Sequence, residues 1–310
     1  MGTRNRAQDI SGVIPVMPIP FDADERIDEE SLRRLVDFAV TCKVEAICLP
    51  AYGSEFYKLT EDERMRVVKI AIEQSAGRVL VVAQCNHGSA RVASSFARSY
   101  AEAGADVVSV AIPRQFSLPD DDIAHYLGAI MKAADVPCLI QDFNPGGPTV
   151  SAEFVARLKG ECSNFRYLKL EEPLMVRKLL AIREATKDGV RVLEGWGGLY
   201  TMELIPAGIG GLMPGLGLAD VHRRVFKLRT ENQSDEAFRI YGRILPQLVF
   251  SLQNMEMFMY CEKRLLEARG LLSNARSRSA CYTPDLYSVR YVDELNERIL
   301  QLIDEIHPKA

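Results

Sequence analysis

The chain has 310 residues, of which 47% are hydrophobic and 26% are charged, and its formal net charge is −4. This composition is sufficient for a large buried core, so the chain need not be intrinsically disordered. Acidic and basic residues are mixed along the sequence, so neither a nucleic-acid-binding stripe nor a polybasic membrane-binding arm is indicated. The first residues contain no apolar segment of signal-peptide length, and no apolar run reaches about 18 residues. We therefore expect a soluble protein.

The cysteines are odd in number and widely spaced, and they form no C-x-x-C or Cys/His cluster. Neither a zinc site nor a disulfide framework is therefore indicated. Several of them lie in apolar strand candidates, where cysteine acts as a small hydrophobic residue. We expect a protein of a reducing compartment, the cytoplasm. The seven are Cys42, Cys48, Cys85, Cys138, Cys162, Cys261 and Cys281.

From residue 13 onwards the chain alternates short apolar runs with segments of helical periodicity. Eight of the apolar runs predict β-strands. Runs in which both the odd-numbered and the even-numbered positions are apolar are typical of a parallel sheet covered on both faces. The predicted strands span residues 13–21, 45–50, 78–85, 106–113, 136–143, 165–171, 190–195 and 209–215.

A predicted helix follows each predicted strand. One begins at Thr60 with Glu63 three residues later, which is the pattern of a capping box. Eight β-then-α units at spacings of about 25 to 35 residues predict an α/β fold of the TIM, or (β/α)8, barrel type. A doubly wound sheet is the alternative, but the first predicted turn, PFDADERID, lacks the Gly-rich phosphate-binding sequence of that fold.

After the eighth unit the strand pattern ends, and three helical segments follow without a linker rich in Pro, Gly or Ser. We expect a tail over residues 1–10, the barrel over 11–230, and a helical extension over 231–310 that packs on the barrel. Within the extension, the Met-rich segment NMEMFMY (254–260) is expected to be a packing face or to line a subunit interface.

The sixth predicted strand, FRYLKLE, carries a lysine and a glutamate where a buried run should end. Active sites of (β/α)8 barrels lie at the carboxyl ends of the strands. Because side chains alternate along a strand, Lys169 and Glu171 share one face, while Leu168 and Leu170 take the other and suit contact with the outer helices. A lysine removed from water can act as a free amine and form a Schiff base, with Glu171 transferring protons. An ion pair at the barrel rim is the alternative.

Three segments resemble the dihydrodipicolinate synthase/N-acetylneuraminate lyase superfamily of class I, Schiff-base-forming aldolases. PAYGSEFYKLTEDER resembles the family's G-[ST]-T-G-E loop, which holds the substrate carboxylate through hydroxyl and backbone N–H groups. YLKLEEP resembles the strand with the Schiff-base lysine, which assigns that role to Lys169, and GIGGLMPG resembles the glycine-rich eighth strand. The resemblance covers most of the chain and implies a TIM barrel, a lyase acting on 2-keto acids, and a homotetramer built from dimers.

The sequence departs from the family pattern in four places. The carboxylate loop reads AYGSE (51–55), so Ser54 is its only aliphatic hydroxyl. Gln141 stands where the family's fifth strand has a relay tyrosine. The synthase's following arginine has no counterpart in NPGGPT, and the tyrosine lent by a neighbouring subunit is absent from AIPRQFS. Dihydrodipicolinate synthase activity is therefore disfavoured, and the chain is most similar to a subgroup of 2-keto-3-deoxy sugar acid dehydratases and aldolases, such as the 2-keto-3-deoxy-L-arabinonate dehydratases.

The predicted site has Lys169 as the nucleophile and Glu171 as the first candidate base, with a substrate hydroxyl or water as the alternative base. Ser54 is expected to bind the substrate carboxylate, Gln141 to hydrogen-bond beside the lysine, and Trp196 to form a wall of the pocket. Each of these three has a structural alternative: loop or helix capping, a buried core amide, and packing at the rim. The expected substrate contacts are Gly53, Ser54, His87, Gln141, Glu194, Trp196 and Met213; the histidine among them has helix capping as its alternative.

The expected reaction begins with an iminium between Lys169 and C2 of a 2-keto acid, which acidifies the C3–H bond. Loss of a C4 hydroxyl would make the enzyme a dehydratase, and cleavage of the C3–C4 bond an aldolase. No metal or organic cofactor is required, because the lysine supplies the electrophile. The alternatives are dihydrodipicolinate synthase or another pyruvate-dependent aldolase and, in a different class, a catalytically degenerate barrel that only binds keto acids.

Overall fold

A computed structural model describes residues 7–144 and 147–307, and its eight parallel strands form a barrel. The strands are β1 (Gly12–Val13), β2 (Ala46–Leu49), β3 (Leu80–Gln84), β4 (Val107–Ala111), β5 (Cys138–Phe143), β6 (Phe165–Glu171), β7 (Arg191–Glu194) and β8 (Gly211–Leu212). They pair in the order β1-β8-β7-β6-β5-β4-β3-β2. Hydrogen bonds of 2.9 Å from Cys48 N–H to the Pro15 carbonyl and from Met17 N–H to the Cys48 carbonyl join the first two strand segments. They close the barrel.

A helix follows each strand, which confirms the predicted (β/α)8 barrel. These helices are α1 (Glu29–Thr41), α2 (Glu61–Ser75), α3 (Ala90–Ala103), α4 (Asp120–Ala133), α5 (Ala152–Glu161), α6 (Met175–Thr186), α7 (Thr201–Leu204) and α8 (Ala219–Thr230). The predicted capping box is present at the start of α2. The Thr60 hydroxyl accepts from Glu63 N–H over 3.2 Å, and the Glu63 carboxylate accepts from Thr60 N–H over 2.9 Å.

Alternate side chains of each strand enter two different cores. Leu168 and Leu170 point outward and pack in the large core between the sheet and the helices. Tyr167 and Leu139 point inward and fill the barrel itself. Because side chains alternate along a strand, Lys169 shares the inward face with Tyr167, as predicted from the sequence.

The first and eighth strands are shorter than the predicted 13–21 and 209–215, since each has only two residues. Pro15, Pro18 and Pro20 interrupt the first segment. Proline has no N–H to donate to a sheet, so a regular ladder cannot continue through it. Both segments remain at the correct place in the barrel, and only their extent was wrong.

Three further helices follow the barrel: α9 (Ser234–Ser251), α10 (Met255–Ala268) and α11 (Leu286–Ile306). Helices α9 and α11 pack with α8 around a smaller apolar core. Helix α10 packs on the barrel, where Lys263 pairs with Glu55 and Arg269 pairs with Asp220 of α8 at 2.7 Å. None of the helices within residues 7–144 and 147–307 combines the length and apolarity needed to cross a membrane.

Candidate active site

A cavity of about 820 Å³ opens at the carboxyl end of the barrel. Side chains from the ends of β5 and β6, the loops after β2 and β7, and the start of α10 line it. This volume lies within the usual range of small-molecule sites. The predicted residues among its lining are Gly53, Gln141, Lys169, Glu171, Trp196 and Met213.

Lys169 and Glu171 lie side by side in this cavity, with Lys169 Nζ 3.0 Å from Glu171 Oε1. Only 7% of the lysine and 6% of the glutamate is exposed. Burial raises the pKa of the Glu171 carboxyl, and the Lys169 ammonium and the Gln141 amide oppose that shift. A carboxylate with a raised pKa is a stronger base than an exposed one, so the pair combines an amine with a group able to accept a proton.

A chain of buried amides fixes the Glu171 carboxylate. Gln141 Nε2 donates to Glu171 Oε1 over 2.7 Å, and Gln84 Nε2 donates to Gln141 Oε1 over 2.6 Å. Gly195, the residue directly after β7, packs against the Glu171 side chain, because a Cβ on this glycine would lie 2.4 Å from Glu171 Cγ. Only glycine permits that close approach. These contacts hold the Glu171 carboxylate in one position beside Lys169.

Aromatic rings form another part of the wall. The centroid of the Tyr52 ring lies 5.6 Å from that of Phe143 and 5.1 Å from that of Phe56. Tyr52 and Phe143 both line the cavity, and neither is among the predicted site residues. The signal for Tyr52 was its place beside Gly53 in the carboxylate loop, but only the two short 3-10 turns of that loop determine where the ring points.

The start of α10 also lines the cavity, through Asn254, Met255 and Phe258. The Asn254 side chain caps the helix by accepting from Glu256 N–H over 2.8 Å. The sequence predicts a packing face or a subunit interface for NMEMFMY, and these three residues also line the cavity. Helical periodicity identifies an apolar face, but it does not identify what that face meets.

Ser54 and His87, two predicted substrate contacts, are absent from the described cavity lining. Ser54 is fully buried, and its hydroxyl donates to the Met17 carbonyl over 2.6 Å. The hydroxyl is thus used to hold the loop against the first strand segment. His87 is exposed, and its Nδ1 accepts from Ser89 N–H over 2.9 Å, just before α3. Both side chains have the capping or loop role that was their alternative.

Glu194, another predicted substrate contact, also lies outside the described lining. Its neighbour Leu193 points into the barrel, so the alternation directs Glu194 to the opposite side. The Glu194 carboxylate accepts from Trp196 N–H over 3.0 Å and from Gly198 N–H over 2.8 Å. Burial raises its pKa to about 7. Glu194 therefore holds the turn that places Trp196 in the cavity wall.

A buried amine beside a carboxylate, at the carboxyl end of a (β/α)8 barrel, defines a class of enzymes that attack carbonyl groups through a Schiff base. Comparison with known sequences identifies the family. A sequence model described as the dihydrodipicolinate synthetase family matches residues 9–282, and the chain belongs to this family. Members of this family are class I lyases, and the chain is accordingly an enzyme of the lyase class.

Individual relatives agree with this assignment. The L-2-keto-3-deoxyarabonate dehydratase of Azospirillum brasilense is 29% identical over 274 residues, which cover 86% of this chain and 87% of the relative. The 4-hydroxy-tetrahydrodipicolinate synthase of Acidobacterium capsulatum is 33% identical over 163 residues, or 52% of this chain and 54% of the relative. The crystal structure of the dihydrodipicolinate synthase of Rhodopseudomonas palustris superposes with a TM-score of 0.87 at 25% identity, covering 96% of this chain and 99% of that one. The resemblance to the superfamily is confirmed.

Proposed function

We propose that the protein dehydrates a 2-keto-3-deoxy sugar acid through a Schiff base on Lys169. The observation that carries the proposal is the buried pair of Lys169 and Glu171, 3.0 Å apart, in a cavity of about 820 Å³. A relative that covers 86% of the chain is an L-2-keto-3-deoxyarabonate dehydratase, which supports this reaction over others of the family.

In the proposed reaction Lys169 gives a proton to water in the cavity, and its neutral amine attacks the C2 keto carbon. The former keto oxygen then takes up a proton and leaves as water, which gives an iminium. The positive nitrogen withdraws electrons from the C3–H bond, and Glu171 takes the C3 proton. The resulting enamine expels the C4 hydroxyl as water. Hydrolysis of the remaining iminium then releases the product and restores the amine.

The charges of the cavity wall favour a substrate with a single carboxylate. Lys169 is the only basic side chain among the described lining residues, whereas Glu171 and Glu172 are acidic. A second carboxylate or a phosphate would meet no cation there. Asn144 and Gln253 instead offer amide groups that can hydrogen-bond neutral hydroxyls. We therefore favour an uncharged polyol tail.

The substrate's own carboxylate needs hydrogen-bond donors, and the Ser54 hydroxyl is already bonded elsewhere. We assign the carboxylate to the backbone of the loop at Gly53. A Cβ on Gly53 would lie 3.1 Å from the Phe258 ring and 3.2 Å from Val16 Cγ1, so glycine keeps this part of the wall open. Trp196 and Met213 are assigned to the walls around the substrate chain.

A pyruvate-dependent aldolase is the second candidate, because several relatives are named 4-hydroxy-tetrahydrodipicolinate synthases. One such relative, from Phocaeicola vulgatus, is 24% identical over 86% of this chain. The single basic side chain of the described lining disfavours an aldehyde that carries a second carboxylate. A substrate screen that follows both water loss and pyruvate release would distinguish dehydration from aldol cleavage.

Borohydride trapping tests the proposal directly. Reduction in the presence of pyruvate should add the mass of the reduced pyruvate group to the peptide that contains Lys169. Lys169→Arg should abolish the adduct and turnover, because a guanidinium does not form the iminium. Lys227→Arg, which changes an exposed lysine of α8, should retain both. An unmodified Lys169 with every 2-keto acid tried would overturn the proposal.

We also propose that the protein works in the cytoplasm as a homotetramer, as the resemblance implies. Large apolar side chains remain exposed at Phe116, Leu174 and Phe238, which supports contact with further copies. The seven cysteines are all free, and six of them are buried, which supports a reducing compartment. Light scattering of the purified protein tests the assembly, and a monomeric mass at micromolar concentration would contradict it.

A further inference from the structure

The proposed dehydration needs a proton donor as well as a base, because hydroxide is a poor leaving group; the assignment of that donor rests on the proposed function. Four of the described lining side chains can exchange a proton in water: Tyr52, Lys169, Glu171 and Glu172. In the proposed reaction Lys169 is bonded to the substrate, and Glu171 receives the C3 proton. Tyr52 and Glu172 remain.

Glu172 is occupied by other contacts. Its carboxylate accepts a hydrogen bond from the Thr149 hydroxyl and lies 3.6 Å from Lys178 Nζ. Because these contacts occupy the Glu172 carboxylate, Tyr52 remains as the donor.

The Tyr52 side chain is fixed by its ring, while its hydroxyl remains available to donate a proton. Its ring packs against Phe143, whose backbone pairs with that of Glu171 in the barrel register, so the phenol and the base belong to the same part of the wall. The Tyr52 hydroxyl forms no hydrogen bond with any residue that the structure describes. Burial, and then the charge of Glu171, raise the pKa of Tyr52, so the phenol keeps its proton at neutral pH.

We propose that Tyr52 is the general acid that protonates the departing C4 hydroxyl. The electron pair of the enamine forms the C3=C4 double bond as the C4–O bond breaks. The oxygen takes the phenolic proton and leaves as water. The proton that Glu171 removed from C3 then returns to the Tyr52 phenolate through water in the cavity, so the elimination consumes and releases no net proton.

Tyr52→Phe removes this hydroxyl and keeps the ring. Loss of water from L-2-keto-3-deoxyarabonate should slow by about 100-fold or more, the usual contribution of a positioned acid. Two activities that need only Lys169 and Glu171 should remain near the wild-type level: borohydride trapping with pyruvate, and exchange of the pyruvate methyl protons in D2O, followed by NMR. Tyr57→Phe deletes a hydroxyl from the same loop at a 48% exposed residue that is absent from the described lining, and it should leave all three unchanged.

A change of leaving group gives a second readout. Fluoride departs without protonation, so the Tyr52→Phe enzyme should release fluoride from 4-fluoro-2-oxobutanoate at nearly the wild-type rate. A purely structural role of Tyr52 would slow fluoride release and water loss together. The ratio of the two rates therefore reports on proton donation alone.

Two results would overturn the role of Tyr52. One is full water loss by Tyr52→Phe, which would show that Glu171 or water protonates the hydroxyl. The other is an equal loss of exchange, fluoride release and dehydration, which would show that Tyr52 only shapes the cavity. Wild-type protein that forms no adduct and exchanges no methyl proton would instead overturn the proposed function itself.

Discussion

At the residue scale, one oxygen of the Glu171 carboxylate makes the contacts that position it. Oε1 lies 3.0 Å from Lys169 Nζ and accepts the 2.7 Å hydrogen bond from Gln141. Oε2 forms no hydrogen bond with the described residues, so it is the oxygen free to meet the C3 proton. Because the lysine nitrogen keeps its positive charge as an iminium, the attraction that holds Oε1 persists through the reaction.

Glu171→Gln should separate iminium formation from proton removal. Glutamine keeps the shape of the side chain but cannot accept the C3 proton. We expect kcat to fall by a factor of about 10² to 10⁴, while borohydride still traps pyruvate on Lys169. Steady-state kinetics and peptide mass spectrometry measure the two effects. Full turnover by this variant would remove Glu171 as the base without affecting the role of the lysine.

The pH dependence of kcat gives an independent check on Glu171. Burial raises the pKa of this carboxyl above its ordinary value of 4.5. The base form is therefore lost at a higher pH than for an exposed glutamate, and kcat should fall as the pH is lowered through that raised value. A profile that stays flat down to pH 4.5 would contradict the assignment.

At the scale of elements, a buried ion pair joins α10 to the loop after β2. Lys263 and Glu55 are both fully buried, and Lys58 Nζ lies 2.9 Å from the other oxygen of Glu55. Charges removed from water are stable only while they remain paired. Since the loop carries Tyr52 and α10 carries Phe258, this pair fixes two walls of the cavity relative to each other.

Lys263→Met should destabilise the protein, because it leaves the Glu55 carboxylate buried with only one partner. We expect a loss of about 3 kcal/mol in the free energy of unfolding, measured by urea titration. The double variant Glu55→Gln/Lys263→Met removes both charges and should recover part of the loss. Lys227→Met breaks an exposed pair with Glu231 at 3.9 Å and should cost less than about 0.5 kcal/mol. If Lys263→Met and Lys227→Met lowered the free energy of unfolding by the same amount, the buried pair would contribute nothing to stability.

Features that depend only on residues close together in the sequence could be predicted from it. Over residues 167–171 strand β6 alternates leucines with polar side chains, so the inward direction of Lys169 follows from the order of these residues. In strand β7 the neighbouring residues Val192 and Leu193 are both apolar, so the sequence does not show which of them faces the barrel interior or to which side Glu194 points. The Ser54 hydroxyl bonds a carbonyl 37 residues earlier, and no local pattern encodes such a contact.

At the scale of the whole molecule, the barrel and the extension share a buried acid, Glu262. Its Oε1 accepts from Gly217 N–H over 2.6 Å, in the turn after β8. A Cβ on Gly215 would lie 2.4 Å from Glu262 Oε2, so the turn packs directly on the carboxyl group. Burial raises the pKa of Glu262 to about 7, and the Gly217 N–H and Arg269 oppose that shift.

The repeated units made the barrel predictable, because eight similar segments impose one topology. The position at which the extension packs on the barrel was harder to predict from the sequence. Glu262 lies between Cys261 and Lys263 in a charged stretch of α10, where a glutamate normally faces solvent. Only the packing of α10 against the turn after β8 buries it, and this packing depends on residues far apart in sequence.

Glu262→Gln should reveal the buried proton through the pH dependence of stability. The native pKa of about 7 exceeds the ordinary 4.5 of the unfolded chain, so the native state holds a proton that the unfolded state releases between these values. The stability that depends on this proton is complete below pH 4.5 and is lost as the pH rises through about 7. The total is about 3 kcal/mol. Glutamine has no such proton, so the variant should gain most of this amount relative to wild type between about pH 5 and about pH 8.

Urea unfolding of the wild type and Glu262→Gln at about pH 5 and about pH 8 measures this difference in the free energy of unfolding. Burial also lowers the pKa of His222 to about 4 and raises that of Glu194 to about 7. Both groups titrate in wild type and variant alike, so their contributions cancel when the two proteins are compared at each pH. Glu267→Gln, on the half-exposed side of α10, should show no comparable change with pH. A stability difference for Glu262→Gln that is the same at both pH values would mean that this carboxyl is ionised in the folded protein throughout, and that α10 is joined to the barrel without a buried proton.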